Sequence, residues 1–145
     1  MNDAPLYQQL WGKTSQDKTR THPLICHMID VAQVTAALWD RALPESTRGY
    51  FVGRLGLDAP AARAWVSFVA GLHDLGKACP AFQSQHAPSM KTLSDHGLAF
   101  DQSRVPVWVP HGWVSAYGLR KLLPQQLGVS PAIARMMLVL ASQVR

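Results

Sequence analysis

The sequence is poor in charge, in cysteine and in long apolar runs, and each shortage excludes something. Only 16% of its 145 residues are Asp, Glu, Lys or Arg, whereas 48% are hydrophobic. That balance excludes a charge-rich disordered chain and fits one domain with a substantial buried core. No stretch reaches the roughly 18 consecutive apolar residues that a membrane-spanning helix needs, so no membrane partner is expected. Asp3 and Pro5 interrupt the opening residues, where a secretory signal would be continuously apolar. The two cysteines, Cys26 and Cys79, lack metal-ligand spacing, so a reducing compartment, the cytoplasm, is the simplest location. Zinc-finger, Walker and dinucleotide-loop patterns are absent as well.

What is present is basic and helical in pattern. The formal net charge is +5 and the pI is near 9.6, which favours a polyanionic partner without establishing one. Residues 1–21 are polar and mixed, anchored by Leu10 and Trp11, with Lys13, Lys18 and Arg20 making the segment basic. A helix is predicted from about Pro23 to Leu43, with Pro23 in the first turn. Its core stripe is read as Leu24, Met28, Val31, Thr35 and Leu38, with His27 inward beside Val31, Val34 and Leu38. Cys26 reads as a small core residue of the same helix. Residues 47–58 allow either a short helix or a loop. A second helix is expected from Pro60 to Leu72 with Trp65, Phe68, Val69 and Leu72 on its apolar side, and a short one opens at Pro80. Residues 86–110 read as an irregular connection, and the prolines at 106 and 110 demote any strand over Val105–Val109. Helices follow from His111 to about Leu123 and from Ser130 or Pro131 onward. The fold class is therefore all-α, with at most a two-stranded ribbon.

The chemistry concentrates in Gly71-Leu72-His73-Asp74-Leu75-Gly76-Lys77. Adjacent residues in mid-helix point about 100° apart, but at a helix end an imidazole and a carboxylate can converge on one ion. Six histidines and nine acids give roughly 0.4 such pairs by chance, so the pair gains weight only from His27 and His111 in ordered helical contexts. Taken singly, His27 reads more readily as a core histidine and Lys77 as a solvated side chain. For His73-Asp74 the plain helix-end reading is weakened by Gly71, Gly76 and Lys77 in the same short segment, where small residues permit close backbone approach. Asp30, one turn from His27, could accept its second ring N–H. Ser115 could bind a substrate oxygen or bond its own helix backbone. His22, His86 and His96 read as surface or loop histidines. Together, three histidines and one aspartate suit one or two divalent ions of the Mn, Fe, Co, Ni or Zn type more than Ca. Two such ions bridged by a carboxylate are a recurring device for phosphodiester hydrolysis.

At this point the residues resemble a known family. The order His27, His73-Asp74, His111 is similar to that of the HD superfamily of metal-dependent phosphohydrolases. The strings His22-Pro23-Leu24 with His27 and Asp30-Val31-Ala32, and His73-Asp74-Leu75-Gly76-Lys77-Ala78 with Pro80-Ala81-Phe82-Gln83, narrow it. With Leu10-Trp11-Gly12-Lys13 and His111-Gly112-Trp113-Val114-Ser115, they resemble the HD nuclease domain of the helicase-nuclease of type I CRISPR systems. The resemblance implies an HD-domain helical bundle that degrades single-stranded DNA, at a target chosen by an RNA-guided surveillance complex. It implies two divalent ions (Mn, Ni, Co, Fe, Mg or Zn): His27, His73 and Asp74 on the first, His111 on the second, and Asp74 as the bridge. It implies that Lys77 lies near the scissile phosphate and that Ser115 is the polar residue facing substrate.

The family also carries a His-His pair and a later aspartate that these 145 residues lack. Residues 1–145 are accordingly expected to be the N-terminal part of the domain, incomplete at its C-terminal end, with the last ligands and a helicase portion supplied by a longer polypeptide. Cleavage by the fragment alone would then be slow or absent. The alternatives are an HD phosphohydrolase acting on nucleotides and a non-catalytic docking module.

Overall fold

The computed structural model describes residues 4–101, 103 and 109–130. The helix predicted beyond Ser130 and the alternating Val105–Val109 segment lie wholly or mostly outside the described residues. The chain opens with a short helix, α1 (Leu6–Gln9), and an antiparallel ribbon of β1 (Trp11–Thr14) and β2 (Thr21–Pro23). Six helices follow: α2 (Leu24–Arg41), α3 (Glu45–Leu55), α4 (Ala59–Gly71), α5 (Pro80–Gln83), α6 (Ala87–Asp95) and α7 (His111–Leu127). A 3-10 segment, Leu72–Ala78, joins α4 to α5. The all-α expectation holds, with the ribbon as the one sheet among the described residues.

Local signals place most boundaries. Asp58 caps α4 by accepting the Ala61 N–H at 2.8 Å, and Pro60 sits in its first turn. Gly56 (φ 64°) and Gly128 (φ 63°) end α3 and α7 in the left-handed conformation that glycine adopts without strain. The open question at 47–58 resolves as α3 through Leu55, followed by the Gly56 turn and the Asp58 cap of α4. Pro23 stands just before α2, not in its first turn, because it closes the ribbon opposite Trp11. Part of 86–110 is not the irregular connection expected: Ala87–Asp95 is helical, with Nδ1 of His86 accepting the Ser89 N–H and Pro88 in the first turn. A histidine cap has no strong sequence signature, which is why this helix escapes a pattern reading.

The packed face of α2 also differs from the predicted stripe. Leu24, His27, Ala36 and Trp39 are buried, whereas Val34 and Leu38 are 59% and 50% exposed. Small residues decide this. A Cβ on Gly71 would stand 3.0 Å from Met28 O and 3.2 Å from Ala32 Cβ, so α4 crosses α2 where neither backbone carries bulk. The close crossing selects the Met28–Ala32–Ala36 row, an i, i+4 ridge. It turns the leucine and valine of the neighbouring row outward. Cys26 is exposed for the same reason, one residue and about 100° from the buried His27. Phe68 of α4 is likewise exposed, while Trp65 and Val69 pack with Leu72 and Leu75 around Leu119 and Leu123 of α7. That cluster clamps the 3-10 segment between α4 and α7. No helix among the described residues is long and apolar enough to cross a membrane.

Candidate metal centre

Three elements deliver side chains to one point: α2, the 3-10 segment and α7. The α-helical hydrogen bonding of α4 ends at Gly71, and the tighter 3-10 turn beginning at Leu72 changes the angle between successive side chains. Successive side chains diverge by about 120° in a 3-10 turn, so His73 and Asp74 meet through the reach of their side chains. The His73 ring lies 5.7 Å from that of His27, and Asp74 contacts both His27 and His111. His27 on α2 places Nε2 at 2.9 Å from Asp74 Oδ2, and His73 Nε2 stands 3.2 Å from the same oxygen. His111, the first residue of α7, approaches from the other side, with Nε2 at 3.2 Å from Oδ1. Lys77, one turn after Asp74, brings Nζ to 2.7 Å from Oδ2 and donates to Gly12 O at 3.2 Å. Asp74, His27 and Lys77 are all buried.

The electrostatics follow from that crowding. Burial works to raise the Asp74 pKa, but hydrogen bonds from His73 and Lys77 and the Lys77 charge outweigh it. The carboxyl is held well below the usual carboxylate range. His73 is raised, chiefly by its bond to Asp74, against the effect of burial. His27 is lowered, by burial first and by the Lys13 charge second, and His111 is lowered by burial. A carbonyl can only accept, so Nδ1 of His73 carries the proton donated to Ala70 O at 2.9 Å, and in the neutral ring Nε2 is the nitrogen with the free lone pair. Its Nε2 is the atom left facing the carboxylate.

This donor set fits a divalent cation. One ligand atom from each of His27, His73 and Asp74 lies within 4.8 Å of the others, in a chemistry of two imidazoles and one carboxylate. The backbone bond that orients His73 is the kind of support metal-bound histidines commonly have.

A second layer holds the first. Ser115 is fully buried; its hydroxyl donates to His73 O at 2.7 Å and accepts the Gly76 N–H at 2.7 Å. It bonds the 3-10 segment and not its own helix backbone. Asp30 is not the partner of His27 either: it pairs with His22 at 2.8 Å on the surface, and Asp74, 47 residues away in sequence, takes the His27 nitrogen instead. The residue that pattern reading left without a role is Gln83. Buried to 1% exposure, it accepts the Trp11 N–H and donates to Trp11 O and Lys77 O, while Trp11 Nε1 donates to its carbonyl. The only sequence signal for it was its place in Pro80-Ala81-Phe82-Gln83. Beside it, Phe82 stacks on Trp11 at 4.3 Å and meets the His111 ring edge-on at 5.9 Å.

Gln83→Ala would strand two carbonyls and one N–H in a buried position. We expect a loss of about 3 kcal/mol, read as a lower urea midpoint at unchanged slope. An unchanged midpoint would show that the bracket around Trp11 contributes nothing net.

Comparison with known proteins gives the family. The family model for the Cas3 HD domain matches residues 11–142. The CRISPR-associated endonuclease/helicase Cas3 of Thermus thermophilus is 37% identical over 117 residues, covering 81% of this chain and 12% of the relative. The Escherichia coli protein of the same name is 34% identical over 87 residues, covering 58% and 10%. Among solved structures, one titled as a CRISPR-associated protein superposes with a TM-score of 0.80 at 37% identity, over 94% of this chain and 15% of that one. T. fusca Cas3 superposes with a TM-score of 0.75 at 26% identity, over 96% and 15%. The chain thus spans about a tenth of the length of the curated relatives it matches. Matched by the family model over residues 11–142 and by a solved relative over 94% of its length, the chain belongs to the Cas3 HD domain family.

Proposed function

We propose that this domain is a metal-dependent nuclease that cuts single-stranded DNA in type I CRISPR interference. It acts with an RNA-guided surveillance complex and with a helicase portion of the same polypeptide, in the cytoplasm. The observation that carries the reading is the position of Asp74, with His27 and His73 on one carboxylate oxygen and His111 on the other. A carboxylate so placed could be shared by two ions. His27, His73 and Asp74 would hold the first ion; His111 and Asp74 would hold a second, completed by ligands from the longer polypeptide. The ions are of the Mn, Ni, Co, Fe, Mg or Zn class, and when bound they supply a water activated at neutral pH and charge for the leaving oxygen.

The chain's own residues do the rest. Ala70 O fixes the His73 tautomer, so no ring rotation is needed for Nε2 to serve. Ser115 ties His73 to the first turns of α7, which keeps His111 and Asp74 in register. Its buried hydroxyl has both bonds committed, so we assign it this positioning role ahead of contact with substrate. Lys77 is held by Gly12 O beside the carboxylate, where its ammonium can meet a phosphate oxygen.

The test is cleavage by the complete polypeptide, after metal analysis, on a single-stranded oligonucleotide beside a panel of mononucleotides. Cutting of the strand alone supports the nuclease reading; turnover of nucleotides alone would make this a nucleotide phosphohydrolase. Bound partner without any metal-dependent turnover would make it a docking module. Lys77→Ala should retain its metal and lose about a hundredfold in rate, the size of a lost charge contact in a transition state. Full activity in that variant would remove Lys77 from the chemistry.

A further inference from the structure

We infer that one face of the β1–β2 ribbon is a track for the phosphate backbone of the strand entering the metal centre, with Lys13 and Arg20 as its contacts; this rests on the nuclease reading above. Lys13 lies opposite His22 in the ribbon, and residues directly opposite share a face. The Ser15 N–H donates to Arg20 O at 2.9 Å, carrying the pairing one rung further, so alternation puts Arg20 on the face of His22 and Lys13. The other face is spoken for: Trp11, Thr19, Thr21 and Pro23 line a cleft against His86 and Thr92.

The basic face abuts the centre. The His22 ring lies 6.4 Å from that of His27, whose Nε2 touches Asp74. Lys13 is near enough to His27 for its charge to be felt there. Lys13, Lys18 and Arg20 are exposed, and none forms an ion pair among the described residues, unlike Arg63 with Asp40 or Lys91 with Asp95. The nearby carboxylates are engaged: Asp17 accepts from Ser15 and Thr19 to close the turn, and Asp30 faces His22.

The ribbon is also anchored as a guide must be. Gly12 O receives the Lys77 ammonium, Trp11 is bracketed by Gln83, and the Leu24 N–H donates to Leu10 O at 2.7 Å. Lys18 stands in the turn between the two strands with a left-handed backbone (φ 57°), its N–H donating to Ser15 O at 3.0 Å. A row of unpaired cations spaced along a rigid ribbon suits a single-stranded polyanion, which binds by phosphate contacts at little cost in sequence preference.

The experiment compares Lys13→Gln with Arg20→Gln, made together, against the complete Mn-loaded wild-type polypeptide. The substrate is a short single-stranded oligonucleotide, read as KM, kcat and bound Mn at several salt concentrations. Losing two phosphate contacts lowers the slope of log kcat/KM against log salt by about 1.4 for a single strand. Between about 50 and about 200 mM salt, the wild type should therefore lose about sevenfold more kcat/KM than the variant. KM should rise at low salt, with kcat and bound Mn unchanged, and the exchange Lys13→Arg with Arg20→Lys should restore wild-type behaviour. An unchanged KM and slope would overturn the track, as would a fall in kcat with loss of Mn, which would mark the ribbon as structural support. A wild type that fails to cut the oligonucleotide would overturn the nuclease reading itself, and the track with it.

Discussion

Asp74→Ala should abolish metal-dependent cleavage by the complete polypeptide, with a loss of about a thousandfold or more in turnover. The physical reason is that one carboxylate faces both halves of the centre. Its Oδ2 meets His27, His73 and Lys77, and its Oδ1 meets His111. Alanine leaves three imidazoles and a buried ammonium with no anion among them, so metal content should fall with activity. Because the Lys77 ammonium is buried, the same change should cost about 3 kcal/mol of stability, the usual consequence of breaking a buried pair from one side. Asp74→Asn separates the two effects: it keeps the shape and much of the hydrogen bonding but loses the charge, and it too should be severely impaired. Strand binding should persist in both, because it comes from exposed cations away from the carboxylate. Near wild-type cleavage by Asp74→Ala with added Mn would end the two-ion account.

Gly76→Ala should be the second most damaging change, although Gly76 carries no chemistry. A Cβ at this position would overlap the carbonyl oxygen of His111 and crowd Ser115 N, both backbone atoms of α7 that cannot swing aside. The helix would have to move away from the 3-10 segment. That breaks the Ser115 bonds to His73 O and the Gly76 N–H and draws His111 from Asp74. We expect a destabilisation of about 3 kcal/mol, at the upper end of overpacking costs, with cleavage lost in the fraction that remains folded. Thermal unfolding and metal content of the variant would check this, and wild-type values for both would show that α7 does not depend on the close approach.

The contrast between these two residues bears on what a linear reading can reach. His73-Asp74 is conspicuous as a dipeptide, and Gly71 and Gly76 beside it already suggested close backbone approach. The partner of that approach was not legible, because His111 and Ser115 lie more than 30 residues downstream, beyond α5 and α6. Asp30 looked the natural companion of His27 because it is one turn away, yet the helix faces outward there and gives Asp30 to His22. Hydrophobicity alone argues for Cys26, Val34 and Leu38 inside α2. The row of small residues facing Gly71 reverses them. Hydrophobic periodicity reports that a helix has a buried face, and it locates that face only to within a neighbouring ridge.

By itself, the sequence determined the all-α class, the main helices α2, α4 and α7, and the group of His27, His73, Asp74, Lys77 and His111 as the residues to watch. These rest on local information: periodicity, prolines at helix starts, and short strings with a family resemblance. Only the tertiary structure decided which atoms meet. The bonds that shape the centre join residues 47, 39, 65 and 72 apart: His27 to Asp74, Ser115 to Gly76, Lys77 to Gly12 and Gln83 to Trp11. Contacts at such separations form because helices with matching ridges and bulk-free crossings pack together and bury polar groups that must then find partners. No window of sequence contains both ends of such a bond, and so the pairing of this site became visible only in the folded chain.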